Sequence, residues 1–308
     1  MSEYQQELIL TPEIRIERGE PVEVREDVQN SRESIMQELG LDRNDSKIAV
    51  RTIKHAYLSG REDQYAEVTL APGITSTDCK WNQMHLHKTG DPFEAFGRET
   101  PFSGYDVYTA RLADGGYVHF STFGLVLGFD GENDFDKSFV LLAEKRGKNQ
   151  QQRGSISISN QGYEAMWREQ RIGPEEIPLT TADFMKAISY DSVKTLRIDE
   201  NQLVGYQNMG LAFMPGSIDA GGLVVACISY SDLKKAYDKT RSDADKHPEN
   251  AWKIPVIIPV NELPDFLRSS EHVNSLLKES ALGRYFHDDM HVLGSLYESA
   301  LSRGFDKD

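Results

Sequence analysis

The strongest hydrophobic signal in the chain lies between Ser138 and Gly162. Phe139, Val140, Leu141 and Leu142 form a short apolar run of the kind that makes a buried strand. A basic stretch with Lys145, Arg146, Lys148 and Arg153 follows, then an alternating segment over 155–159 and a glycine turn. Upstream, Tyr105–Arg111 and Tyr117–Gly128 read as strands around Ala113-Asp114-Gly115-Gly116, a hairpin signature. Successive strands joined by short turns predict a mixed or antiparallel sheet.

Elsewhere the periods alternate between two and near four. Residues 1–30 interleave apolar and charged groups (Ile14, Ile16, Val22, Val24), as an edge strand or a docked arm does. Ser31 opens a short helix with Ile35, Met36 and Leu39 on one face, and Gly40 stands where it stops. Segments 47–58 and 64–71 suit a hairpin across Ser-Gly-Arg-Glu-Asp. From Pro72 to Gly104 prolines and glycines predict a long irregular loop. After Gly162 a helix begins at Thr180/Thr181, and strands are expected over 202–214 and 222–230. Ser231 caps a helix with Leu233, Ala236 and Tyr237 inward. A strand over 254–260 follows, and two amphipathic helices close the chain, carrying Val273, Leu276 and Leu277, then Val292, Leu293, Leu296, Tyr297, Ala300 and Leu301. The class is α+β: a mixed or antiparallel sheet flanked by helices.

Composition narrows the function. A chain of 308 residues buries a substantial core. Thirty-four Lys and Arg stand against 49 Asp and Glu, a net charge of −15, which disfavours extended nucleic acid and anionic membranes as partners. Cys79 and Cys227 form no Cys-x-x-Cys pair, which suits a reducing compartment. Cys227, inside the run Gly222–Tyr230, is expected to be a buried thiol. The first residues lack the basic-then-apolar layout of a signal peptide, and no apolar run approaches the roughly 20 residues of a membrane span. A cytoplasmic protein is expected.

The order of elements over about 105–300 resembles the Nudix superfamily. Leu141-Leu142-Ala143-Glu144-Lys145-Arg146 is similar to the family's apolar strand ending in Arg. The 155–162 strand and turn resemble the stretch before its metal-binding helix, and the helix after Ser231 with the 254–267 segment resembles the closing part of long members. The resemblance implies a Nudix-like domain over 105–308, with residues 1–104 as a β-rich N-terminal extension. The chain departs from the family at its box, which needs a Gly, a Glu, Arg-Glu and Glu-Glu at fixed spacing on one helix, where carboxylates converge on magnesium. Here Glu164, Glu169, Glu175 and Glu176 are of the right type at another spacing, and Gly173-Pro174 breaks any shared helix. In the helix after Thr180, Asp183 and Asp191 stand eight residues apart, too far for a shared ligand set. The resemblance therefore implies the scaffold without the family's usual metal chemistry.

Candidate sites follow from residue types. Lys145, Arg146, Lys148 and Arg153, against Glu144 alone, make a +3 stretch in an acidic protein. With Gly147 and Gly154 able to turn backbone N–H groups outward, they suit a phosphate; a solvated hairpin tip explains them more simply. Asp130, Glu132, Asp134 and Asp136 have oxygen ligands for calcium or magnesium, or are the acids of a polar turn. His85 and His87 share one strand face, half of a zinc site at best. His287 and His291, four apart, have the spacing of zinc-binding helices, with Asp288 and Asp289 between them explicable as helix-start acids. No phosphate loop, dinucleotide fingerprint or nucleophile elbow occurs.

The expected function is binding or regulation: recognition of a nucleotide or another phosphorylated small molecule through Lys145, Arg146, Lys148 and Arg153. The alternatives are a divergent diphosphate hydrolase using magnesium with Glu164, Glu169, Glu175 and Glu176, a zinc centre at His287 and His291, and a structural or interaction protein without a small ligand.

Overall fold

A computed structural model describes residues 7–10, 13–39, 43–56, 65–79, 81, 117–145, 156–214, 217–246, 253–269 and 290–305. In chain order the strands are β1 (Glu7–Leu10), β2 (Glu13–Arg18), β3 (Ser46–Ala56), β4 (Tyr65–Thr75), β5 (Val118–Phe129), β6 (Phe139–Lys145), β7 (Ile156–Ser157), β8 (Ser159–Gly162), β9 (Leu203–Met214), β10 (Ser217–Cys227) and β11 (Lys253–Pro259). The helices are α1 (Glu26–Asn30), α2 (Arg32–Leu39), α3 (Ala165–Glu169), α4 (Thr181–Leu196), α5 (Tyr230–Lys246), α6 (Leu263–Ser269) and α7 (Met290–Arg303). The class is α+β, with mostly antiparallel strands flanked by helices. The contacts divide into two compact units, neither a continuous stretch of chain. The boundary expected at 104/105 falls among residues outside the description.

The first unit holds residues 1–122, 161–187 and 210–220. The expected hairpin is β3 and β4, antiparallel from Ser46↔Thr75 to Ala56↔Tyr65. The strand does not stop at Pro72, where the turn residues predicted a loop; β4 continues to Thr75. Its ladder is interrupted between Lys47 and Ala49, and this bulge absorbs Pro72 and Gly73. Gly73 has φ of +109°, a conformation that costs a residue with a side chain. Val22 donates its N–H to the Pro72 carbonyl at 2.8 Å, which ties the N-terminal arm down. The arm's β2 runs parallel to β4, burying Ile14 and Ile16 while Glu13, Arg15 and Glu17 face out. Ile16 N–H is taken by the Thr181 hydroxyl at 3.1 Å, and Arg18 reaches the Ile177 carbonyl. Fully buried Asp78 receives Arg32 through two hydrogen bonds, of 2.9 and 2.8 Å, and the Thr75 N–H at 2.8 Å. Phe120 packs on Tyr163 and Phe184, with ring centroids 5.7 and 6.4 Å away.

The second unit holds residues 123–160, 188–209 and 221–308. Its centre is β6, antiparallel to β5 on one side and β11 on the other, with β7 against its C-terminal end. Val140, Leu141, Leu142 and Ala143 are essentially inaccessible, as the apolar run predicted. Among the described residues β11 pairs only with β6, and it carries Pro255 and Pro259. On α5, Leu233 and Tyr237 are buried as expected, and Thr240 and Ala244 extend that face; Ala236 is exposed, lying off it. Cys227 is exposed rather than buried, because it is the last residue of β10 and the strand's inward run ends at Ala226. On α7, Leu293, Tyr297 and Ala300 are inward, and Tyr297 donates to Asn133 at 2.8 Å. The strand expected over 105–111 and the helix with Val273, Leu276 and Leu277 lie outside the described residues. No described helix is long and apolar enough to cross a membrane.

Two buried carboxylates in the first unit give opposite expectations. Glu164, 2% exposed, binds the Lys47 ammonium at 2.6 Å. Its carboxylate folds back over Gly162, where a Cβ would lie 2.4 Å from Oε1. Removing Lys47 strands a buried negative charge. Lys47→Met is therefore expected to cost ~3–5 kcal/mol in urea unfolding, and Lys47→Met combined with Glu164→Leu to recover most of that loss. Asp219 has its pKa pushed up to about 6 by burial, opposed by a 2.5 Å hydrogen bond from the Ser217 hydroxyl. Its folded-state pKa lies above the unfolded value, so its contribution is fully present below the unfolded pKa and is lost as pH rises through about 6. Unfolding at pH 5 and 7.5 is expected to show a loss at the higher pH, about 1.4 kcal/mol from this group because the rest of the shift is already expressed below pH 5, that Asp219→Asn removes.

Candidate functional site: a paired-lysine end of the β6–β11 ladder

The β6–β11 register runs unbroken from Pro259↔Phe139 to Lys253↔Lys145. It therefore ends with one lysine directly opposite another. Residues facing each other on adjacent strands have Cβ atoms about 4.5–5.5 Å apart, and like charges there destabilise the pair. Both lysines are half-buried. The Lys145 pKa is lowered, first by burial and then by the positive charge of Lys253. Alternation along β6 turns Glu144 the other way, and there the Arg241 guanidinium approaches its carboxylate at 3.8 Å.

Lys145 is the last residue of β6, and the chain returns as β7 with Glu144↔Ile156 and Ala143↔Ser157 in register. Arg146, Lys148 and Arg153 belong to the connecting segment and lie outside the described residues. Of the four basic residues singled out from sequence, Lys145 is thus placed. Its partner Lys253 was missed. Lys253 stands alone before an apolar strand 108 positions downstream, and only the pairing of β11 with β6 brings it there.

A cleft of about 230 Å³ lies between α5 and β11, lined among others by Tyr230, Lys234, Asp238, Arg241, Val256 and Ile257. Lys234, Asp238 and Arg241 share a helix face through the four- and three-residue spacings between them. Its volume is below the ~300–1,000 Å³ of drug-sized ligand sites.

The carboxylates considered for hydrolysis are placed separately. Glu164 is turned inward onto Lys47, Glu169 is exposed at the end of α3, and Glu175 and Glu176 are exposed on a 3-10 turn, Pro174–Glu176. Arg168 of α3 is engaged by Asp45 at 3.1 Å. Among the described residues no three His, Cys, Asp or Glu side chains converge as a metal site. In the Asp130–Asp136 turn, Lys137 binds Glu132 at 2.5 Å and Asp134 at 3.3 Å, while Asp130 accepts the Tyr230 N–H at 3.0 Å. Asp134 also caps the turn by accepting Asp136 N–H at 3.1 Å. His291 is exposed in the first turn of α7; His287, His85 and His87 lie outside the described residues.

No family model matches the sequence, and no curated protein matches it. Among solved structures, the chain is similar to the crystal structure of a mutT/nudix family protein from Listeria innocua. The identity is 11%, the TM-score 0.29, and the likeness covers 47% of this chain and 81% of that one. A likeness at that TM-score carries no argument about fold or function; the fold class stands on the strands and helices themselves.

Proposed function

We propose that the protein binds a phosphorylated small molecule at the Lys145 end of β6, as a binding or regulatory module rather than a hydrolase. The observation that carries this reading is the Lys145–Lys253 register pair. Two cationic side chains held opposite each other raise the local positive potential, which favours an anionic group beside them. Arg146, Lys148 and Arg153 follow directly in sequence and raise the local positive charge within an acidic chain. A nucleotide or sugar phosphate suits this arrangement; a polyanion is disfavoured by the net charge of −15. Diphosphate hydrolysis through Glu164, Glu169, Glu175 and Glu176 gains no support from the geometry, because Glu164 is committed to Lys47 and the other three are solvent-exposed.

Calorimetric titration at low salt with glycerol 3-phosphate and with adenosine monophosphate tests the reading. Binding is expected, weakening as salt rises. Lys145→Met with Lys253→Met should reduce affinity about 10- to 100-fold, the loss of a charge-assisted contact worth ~1.5–3 kcal/mol. Arg146→Ala with Arg153→Ala should reduce it further. Unchanged affinity in the doubly lysine-substituted protein, or no heat with either compound, would overturn the assignment.

A further inference from the structure

We propose that the cleft between α5 and β11 binds a free α-amino acid with an apolar side chain. The inference does not rest on the anion site at Lys145; it concerns a second place in the same unit.

The cleft joins two fixed walls. On α5 the Tyr237 ring is buried and its hydroxyl donates to the Leu196 carbonyl at 2.6 Å, while the Tyr230 ring packs on Phe139 with centroids 5.2 Å apart. On β11 the three consecutive residues Pro255, Val256 and Ile257 all border the cleft. Consecutive strand residues point their side chains to opposite faces, so a cleft that meets all three also meets the strand's backbone margin. The Val260 N–H donates to the Ser138 carbonyl at 2.9 Å, and that match continues the β6–β11 register. Inward and outward residues alternate along an antiparallel ladder, so Val256 and Ile258 turn their backbone groups toward β6. Pro255 and Ile257 turn theirs away, and among the described residues no strand pairs with that margin. It offers the Pro255 carbonyl, the Ile257 N–H and the Ile257 carbonyl in succession.

The helix adds charge of both signs. Lys234 and Asp238 stand one turn apart on the cleft face, in the order that favours mutual pairing less, and they do not pair with each other. Arg241 lies three residues further on, with the Glu144 carboxylate 3.8 Å from its guanidinium. A purely anionic ligand would leave Asp238 and the outward carbonyls unanswered, and a cation would leave Lys234 and the Ile257 N–H. An α-amino acid carries a carboxylate and an ammonium on one carbon and answers both. Its carboxylate accepts from the Ile257 N–H and a basic side chain, and its ammonium donates to the Pro255 carbonyl and Asp238. Its own side chain then lies against Val256 and the tyrosine rings. A volume of about 230 Å³ suits a molecule of this size and is too small for a nucleotide.

Titration of the full-length, ¹⁵N-labelled chain with L-leucine at neutral pH, followed by amide shifts, tests this. Saturable shifts are expected at Ile257 and along the cleft face of α5. N-acetyl-L-leucine and L-leucinamide, each lacking one charge, should bind roughly tenfold more weakly or worse. Asp238→Asn should weaken L-leucine by a similar factor and erase the discrimination against N-acetyl-L-leucine, in a protein whose circular dichroism is unchanged. Excess glycerol 3-phosphate should not compete. No saturable shift with L-leucine, N-acetyl-L-leucine binding as tightly as L-leucine, or discrimination that survives Asp238→Asn would overturn the proposal. Competition by glycerol 3-phosphate would also overturn it, by moving the ligand to the Lys145 end. The comparison of the three ligands on the unsubstituted chain decides the matter even if the variant fails to fold.

Discussion

The register between β6 and β11 fixes which side chains meet at the end of the second unit's ladder. Side chains alternate along a strand, so a slip of one residue would turn Lys145 toward the face that Glu144 now occupies and break its opposition to Lys253. Three apolar matches, Val256↔Leu142, Ile257↔Leu141 and Ile258↔Val140, hold the alignment, because a shift would displace Val140, Leu141, Leu142 and Ile258, which are now excluded from water. The cationic pair at the end is therefore enforced by hydrophobic packing some distance away. A surface pair without that support would separate at little cost.

The two units treat charge differently. In the first, each buried carboxylate with a cation partner is matched closely: Asp78 takes Arg32 through two oxygens as well as a backbone donor, and Glu164 takes Lys47. Such pairs lock one arrangement, since each half is costly alone. In the second, the ladder brings cation to cation. Matched charges hold the first unit's helices in place, whereas the second unit sets Lys145 opposite Lys253 at the end of a ladder.

Much of the fold was legible from sequence because the signals were local. The Phe139–Leu142 run, the β3–β4 hairpin and the Thr180-capped start of α4 depend on residues within a few positions, whereas the Ser31 hydroxyl, expected to cap α2, donates back to the Asp27 carbonyl. Pro72-Gly73 misled because a bulge can keep such a pair inside a strand, and a bulge is a property of two strands together. Cys227 misled because an apolar run does not say where a strand ends. Of the candidate site, Lys145 stood out through the basic stretch that follows it. Lys253 did not, because register between strands 108 residues apart is set by tertiary packing that no window along the chain contains.

The prolines of β11 have a consequence for the molecule's behaviour in company. Pro255 and Pro259 have no N–H to offer, and they alternate with the residues Ile254 and Ile258 along the strand. Between them only Ile257 can present a donor of the same phase outward. A foreign strand arriving at that margin would find two of the four donors of that phase missing, which weakens the tendency of the apolar sequence Ile-Pro-Val-Ile-Ile-Pro to recruit copies of itself into fibrils.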